Sequence, residues 1–309
     1  MNGIEFLQID LPAILAAVLA CTVCALHGNF LVLRRQALLG DAISHVVLPG
    51  IVIAFLVGGS RAGLPTMLGA AAAAVVAALL IALIQRLGRI ESGASMGVVF
   101  TVLFALGIVL IEQAAARSVD LDPDCVLYGQ LEDILWLVPQ GWGDLLSPAI
   151  WATLPREVVT LAAVLLLSVL FALLFHKELK LTAFDPGLAR SLGIPAGAMQ
   201  AALTGFVALS AIAAFEAVGS ILVIAMLICP AAAARLITDR YGTQMGLSLL
   251  FGAGAGLLGY GLAGPLPLAL GAGWSLNAAG SIAVVAGLIL GAAVLLGRHG
   301  ALARRRFAR

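Results

Sequence analysis

Lysine is almost missing from this chain of 309 residues, which has only Lys177 and Lys180. No glycine–lysine pair occurs, which removes the phosphate-cradling Walker loop. Any ATP that drives the chain's work must therefore be bound by another subunit. Charge is scarce at 11%, against 62% hydrophobic residues and a mean hydropathy of +1.12. No ordinary soluble domain has that balance, and the chain reads as a polytopic helical membrane protein. The first ten residues hold Glu5 and Asp10 but no lysine or arginine. That is not the basic start of a signal peptide, so the first span is expected to be retained. There are four cysteines, and only Cys125 is expected outside the membrane, which argues against a disulfide framework. Cys21, Cys24 and His27 recur every three residues, a pattern read as small side chains in a crowded helix in preference to soft-metal ligands. No HExxH motif and no nucleophile–base pair stands out, so an intramembrane enzyme is not expected. Nucleic acid is not an expected partner.

Apolar runs long enough to cross a core about 30 Å thick fall at about 11–33, 38–58, 66–85, 94–115, 154–175, 198–215, 217–237, 243–263 and 280–297. The expected fold is therefore all-α, a bundle of about eight or nine transmembrane helices in a single domain over 1–309. With the Arg34–Arg35 loop in the cytoplasm and sides alternating, 14 of the 17 basic residues fall inside. Only Arg61, Arg117 and Arg156 fall outside, so the N-terminus is expected outside and the C-terminus inside. An acidic outer loop is expected at about 116–153, with Asp120, Asp122, Asp124, Glu132, Asp133 and Asp144. Trp136, Trp142 and Trp151 in it suit short amphipathic helices at the membrane boundary. The basic tail, 298–309, suits anchoring to anionic lipid. Gly252 and Gly256 in GxxxG spacing and the five alanines from Ala70 to Ala74 predict close helix approach.

The stretch Arg34–Phe55, RRQALLGDAISHVVLPGIVIAF, carries the chemistry. Asp41 and His45, four residues apart, share one helical face. Placing an ionisable group in hydrocarbon costs roughly 2.5–3.5 kcal/mol on insertion scales. Such residues go with a partner, a cavity or an ion. Pro49 removes the N–H that would bond the His45 carbonyl. A carboxylate and an imidazole suit Mn²⁺, Fe²⁺ or Zn²⁺, and Ser44 adds a hydroxyl on nearly the same face. Two protein ligands do not close a stable site, so others must come from another helix, water or a second copy. By spacing alone, Asp41 reads equally as a solvated residue near a helix end and His45 as a core contact. Glu216 is a charge within an apolar stretch, either lining a cation's route or sitting at an interfacial turn. Pro230 frees the Met226 carbonyl, so backbone oxygen lining a cavity is a further possibility. In the cytoplasmic loop 176–197, Asp185 is placed to cap a short helix that starts at Pro186, passes Ala189 and stops at Gly193. That helix reads as a docking knob or as a plain connector.

Four segments, in this order, resemble the permease subunits of bacterial ABC importers for manganese, zinc and iron. They are LVLRRQALLGDAISHVVLPG (31–50), the outer loop with LYGQLEDI, FDPGLARSLGIP (184–195) and VGSILVIAMLICPAAAARLI (218–237). The resemblance implies a type II importer fold in the bacterial cytoplasmic membrane. It implies two permease subunits, either two copies or a copy and a paralogue, around a central path. It also implies cytoplasmic ATP-binding subunits and an extracytoplasmic metal-binding protein. Asp41 and His45 would line the path, and the helix from Pro186 would couple to the ATPase. The expected function is passage of a divalent metal, with ATP hydrolysed on a partner. The alternatives are an ion-coupled secondary transporter using Asp41 and Glu216, or an ABC permease for chelated metal.

Overall fold

The computed structural model of the chain describes residues 3–58, 64–115, 129, 131–269, 271 and 275–297. Among them every regular element is helical. The helices used below are α1 (Leu11–Leu33), α2 (Ala37–Gly58), α3 (Leu64–Gly88), α4 (Ser92–Ala115) and α5 (Arg156–Leu174). They continue with α6 (His176–Phe184), α7 (Pro186–Ser191), α8 (Ala196–Ile237), α9 (Tyr241–Ala263) and α10 (Ala278–Leu296). A helical lead-in from Gly3, with a π-helical stretch over Phe6–Asp10, extends α1 outward.

α1 is the central post. Most of its length is buried, and it packs against α5, α8 and α9. Small residues make that possible. A methyl group on Gly252 would meet Ala25 and the Cys21 carbonyl at 2.9 Å, and one on Gly256 would meet the Ala17 carbonyl at 3.2 Å. The GxxxG spacing therefore sets α9 backbone against α1 backbone, as expected. Cys21 and Cys24 are buried packing residues, and His27 Nε2 lies 2.9 Å from Ser168 Oγ of α5.

Among the described residues, seven helices are long and apolar enough to cross a membrane, counting α8 once. The 42 residues of α8 would stretch about 63 Å if straight, twice the hydrocarbon core. The helix is broken at Gly219, whose φ of 75° and ψ of 169° fall in a region essentially restricted to glycine. Contacts on α1 and α2 show the two limbs doubling back. His27 faces Phe206 in the first limb, while its neighbour Gly28 packs on Leu227 and Ala231 in the second. Gln36 hydrogen-bonds Gln200, while Gly40 packs on Leu227. In a straight helix residues 200 and 227 would stand about 40 Å apart. α8 is thus the two expected spans, 198–215 and 217–237, joined by one residue. With its two limbs counted separately the described helices supply eight apolar spans, and α2 adds a shorter apolar stretch over His45–Val57.

The segment after position 128 is tied to this reversal. Gly129 (φ 74°) lies so close to the backbone of Val218 and Gly219 that a side chain there has no room. Glu132 Oε1 accepts from the Ala278 N–H at 2.7 Å, closing the N-terminus of α10 beside the Asn277 cap. The Trp136 N–H donates to the Gln8 carbonyl at 2.8 Å and its indole N–H to Thr153 at 2.9 Å. Short helical turns do follow, at Leu131–Asp133, Trp142–Leu146 and Pro148–Trp151. Trp136 is buried, with its ring beside Trp151. The expected acidic residues Asp120, Asp122 and Asp124, Cys125 and the tail 298–309 lie outside the described residues.

Gly219→Ala puts a Cβ into the glycine-only region, a strain of about 1–3 kcal/mol. Its thermal unfolding midpoint in detergent is expected to fall. Gly287→Ala, in open space on α10, is expected to hold or raise the midpoint. Equal midpoints for the two variants would mean that the reversal does not depend on Gly219.

Candidate functional site

α2 carries the residues singled out by spacing. It starts three residues after the end of α1, and Arg35 in the connection has a positive φ of 57°. Two glycines seat it. Gly40, next to Asp41, packs on the Leu227 side chain of α8, and a methyl at this position would sit only 2.8 Å from Leu227 Cδ1. Gly50, just past Pro49, is pressed against Gly69 of α3 so closely that neither position has room for a Cβ. Pro49 is buried within the helix, and Gly107 of α4 packs on Leu48 and Pro49. The helix that presents Asp41 and His45 is therefore held closely on two sides, by the Leu227 side chain at Gly40 and by the α3 backbone at Gly50.

His45 is half-buried against α4. Its ring stacks on Phe100 with centroids 5.5 Å apart and meets the edge of Phe104 at 4.8 Å. Asp41 and Ser44 sit on the same helix one turn and about one residue before it, and their side chains lie outside the described ones.

Glu216 is elsewhere. It stands three residues before the reversal at Gly219, and its Oε1 lies 3.6 Å from Nη2 of Arg156 at the start of α5. Both side chains keep a third or more of their surface exposed, so the pair contributes little to stability. Glu216 thus belongs to the hairpin apex, whereas Asp41 begins the helix that leaves the opposite end of α1. Pro230 is buried in the second limb of α8, next to the Leu227–Ala231 turn that packs on Gly28. Among the described residues, no three His, Cys, Asp or Glu side chains gather where they could hold a metal ion.

The knob at 184–195 forms as its residues dictate. Asp185 Oδ1 accepts from the Gly187 and Leu188 N–H groups at 3.0 and 2.9 Å, and Pro186 occupies the first turn. Gly193 (φ 79°) ends α7, where the Ile194 N–H donates to the Ala189 carbonyl at 2.9 Å. Ala189 is fully buried, while Phe184, Leu188 and Leu192 are exposed. An exposed apolar tip on a rigidly capped helix is a contact surface. The elements on either side of the knob are tied to the connection that leads into α2. Arg34 donates to Thr182 Oγ1 at 2.8 Å, and Gln200 donates to Gln36 Oε1 at 3.0 Å. The polar sequence concealed α6, which precedes α7 and holds Thr182. Its only advance signal is Leu179 and Thr182 three residues apart, both buried.

The model of the ABC 3 transport family matches residues 5–136 and 145–296. The chain belongs to that family. It is a multi-pass membrane transport subunit of the permease kind. It is 42% identical over 248 residues to the manganese transport system membrane protein MntD of Bacillus subtilis, covering 80% of this chain and 81% of that one. It is 38% identical to the zinc transport system membrane protein TroD of Treponema pallidum, over 71% of this chain and 58% of the other. Among solved structures it resembles PsaBC from Streptococcus pneumoniae in complex with Fab. The TM-score is 0.74 and identity 28%, over 95% of this chain and 94% of that one.

Asp185→Ala removes both cap hydrogen bonds and is expected to cost about 1 kcal/mol of local stability. Limited proteolysis of the purified protein should then nick 184–195 faster, whereas Asp185→Asn should stay near wild type. An unchanged rate in the alanine variant would show that packing alone holds the knob.

Proposed function

We propose that this chain is the membrane-spanning subunit of an ATP-driven importer of divalent metal (manganese, zinc or iron), working by alternating access. The observation that carries the reading is membership of the ABC 3 transport family together with the GDAISHVVLPG segment on a clamped helix. Relatives that transport manganese and zinc support the substrate class.

Two permease subunits, a second copy or a paralogue, face each other across the path, each contributing Asp41 and His45. The metal is cargo, so the ligand set has to hold it briefly. One carboxylate and one imidazole per chain, with Ser44 orienting or adding a hydroxyl, give such a station. Phe100 and Phe104 fix the imidazole plane, so the ring presents an edge without reorganising. The His45 carbonyl freed by Pro49 and the Met226 carbonyl freed by Pro230 add oxygen along the way. Glu216, at the hairpin apex, attracts the cation at the outer mouth, and Arg156 moderates its charge.

ATP is bound and hydrolysed by a separate cytoplasmic subunit seated on α7, with Phe184, Leu188 and Leu192 as the apolar contact. Motion of that knob reaches α2 through Arg34–Thr182 and Gln36–Gln200. An extracytoplasmic metal-binding protein delivers the ion to the outer face. The chain lies in the bacterial cytoplasmic membrane with its N-terminus outside and its C-terminus inside. The tail 298–309 rests on anionic lipid.

His45→Ala is expected to abolish growth at limiting metal while the complex still assembles and hydrolyses ATP. The measurement is growth of a strain relying on this importer, paired with ATPase activity of the purified complex. Normal growth of the variant would remove His45 from the path.

A further inference from the structure

Leu227 is fully buried in the second limb of α8, and it meets two helices at glycines. Its backbone lies on α1 at Gly28, so closely that a methyl there would run into the Leu227 carbonyl. Its side chain lies on α2 at Gly40, where a methyl would sit 2.8 Å from Cδ1 and 3.4 Å from Cβ. Gly28 is near the end of α1 and Gly40 is in the first turn of α2, on either side of the Arg34–Gln36 connection. α1 and α2 pack little on each other, whereas α8 packs on both. Leu227 is lodged between them, so its bulk enters their separation directly. Gly40 has no positive φ. The position next to Asp41 therefore uses the small size of glycine, not its conformational freedom.

We infer that Leu227 is a positioning residue for the metal path, setting where the Asp41 end of α2 stands. The inference rests on the proposed role of Asp41 and His45. Leverage gives it content. Further along α2, Gly50 abuts the Gly69 backbone of α3. At 1.5 Å per residue the supports at Gly40 and Gly50 stand about 15 Å apart. Asp41 lies about 14 Å from Gly50 along the helix and His45 about 8 Å. With Gly50 held, a displacement at Gly40 moves the Asp41 backbone nearly twice as far as that of His45. His45 is also steadied by Phe100 and Phe104. The size of the side chain at position 227 thus acts chiefly on Asp41.

The test is a double-mutant cycle on the assembled complex in vesicles. It is read as ions accumulated per ATP hydrolysed, with radiolabelled Mn²⁺ or Zn²⁺, whichever the wild type takes up. Gly40→Ala and Leu227→Ala should each lower that ratio about tenfold while ATP hydrolysis continues. In the double variant the added methyl takes up space left by the lost side-chain atoms. The ratio should then return to within about threefold of wild type. Alanine is the better helix former, and its methyl would meet a side chain in place of backbone, so Gly40→Ala is expected to fold. A wild-type ratio in either single variant, or losses that multiply in the double, would overturn the inference. So would uptake and ATP hydrolysis falling in proportion, the mark of a general packing defect. His45→Ala separates the two readings. A wild-type ratio there removes the path itself, whereas a lost ratio beside a normal Gly40→Ala removes only the role of Leu227.

Discussion

A backbone that turns inside or at the edge of a membrane must leave no peptide group without a partner. That requirement governs α8. The chain reverses there through one residue, and only glycine adopts the conformation that residue needs. Gly129 then lies directly on the reversal, backbone to backbone, because any side chain would hold it away. The segment that brings Gly129 there also closes the start of α10 through Glu132 and anchors on the helical lead-in to α1 through Trp136. Among the described residues, this glycine-limited turn, the start of α10 and the lead-in to α1 are thus joined by the one segment that follows position 128.

The opposite end obeys a different rule. Here polar side chains make the connections, and they converge on the start of α2. Arg34 reaches α6, Gln36 reaches the first limb of α8 and Gly40 rests on the second. Both limbs of the hairpin, and α6 beside the capped knob, thus meet at the start of the helix that carries Asp41 and His45. α7 packs on α6 and on the start of α8, the two elements that make those hydrogen bonds. This gives the proposed coupling a physical route.

Much of this was legible in the sequence because it depends on local chemistry. Span positions follow from apolar run length, and the α7 cap follows from Asp185, Pro186 and Gly193. The close approach of α9 to α1 follows from the spacing of Gly252 and Gly256. What was not legible depends on tertiary context. The boundary between the spans 198–215 and 217–237 was expected at Glu216, but nothing in AVGSIL marks Gly219 as the residue that makes the turn. Trp136 has the composition of a boundary residue, yet its side chain is buried, with its indole N–H donating to Thr153. The run Ala70–Ala74 promises close packing, and Ala73 delivers it against Gly50, but Ala71 faces an open groove, since packing depends on which helix stands opposite. Asp41 and His45 were found through spacing, whereas the Phe100–Phe104 wall that orients the imidazole had no signal near them.

The central claim is that this chain forms an ATP-driven path for a divalent metal through Asp41. The most direct test is uptake of radiolabelled Mn²⁺ and Zn²⁺ into vesicles holding the chain with its co-purifying ATPase, with and without ATP at the ATPase face. ATP-dependent accumulation of an ion, lost in Asp41→Ala, is the predicted result. Uptake indifferent to ATP but driven by a proton gradient would contradict the account and make the chain an ion-coupled carrier.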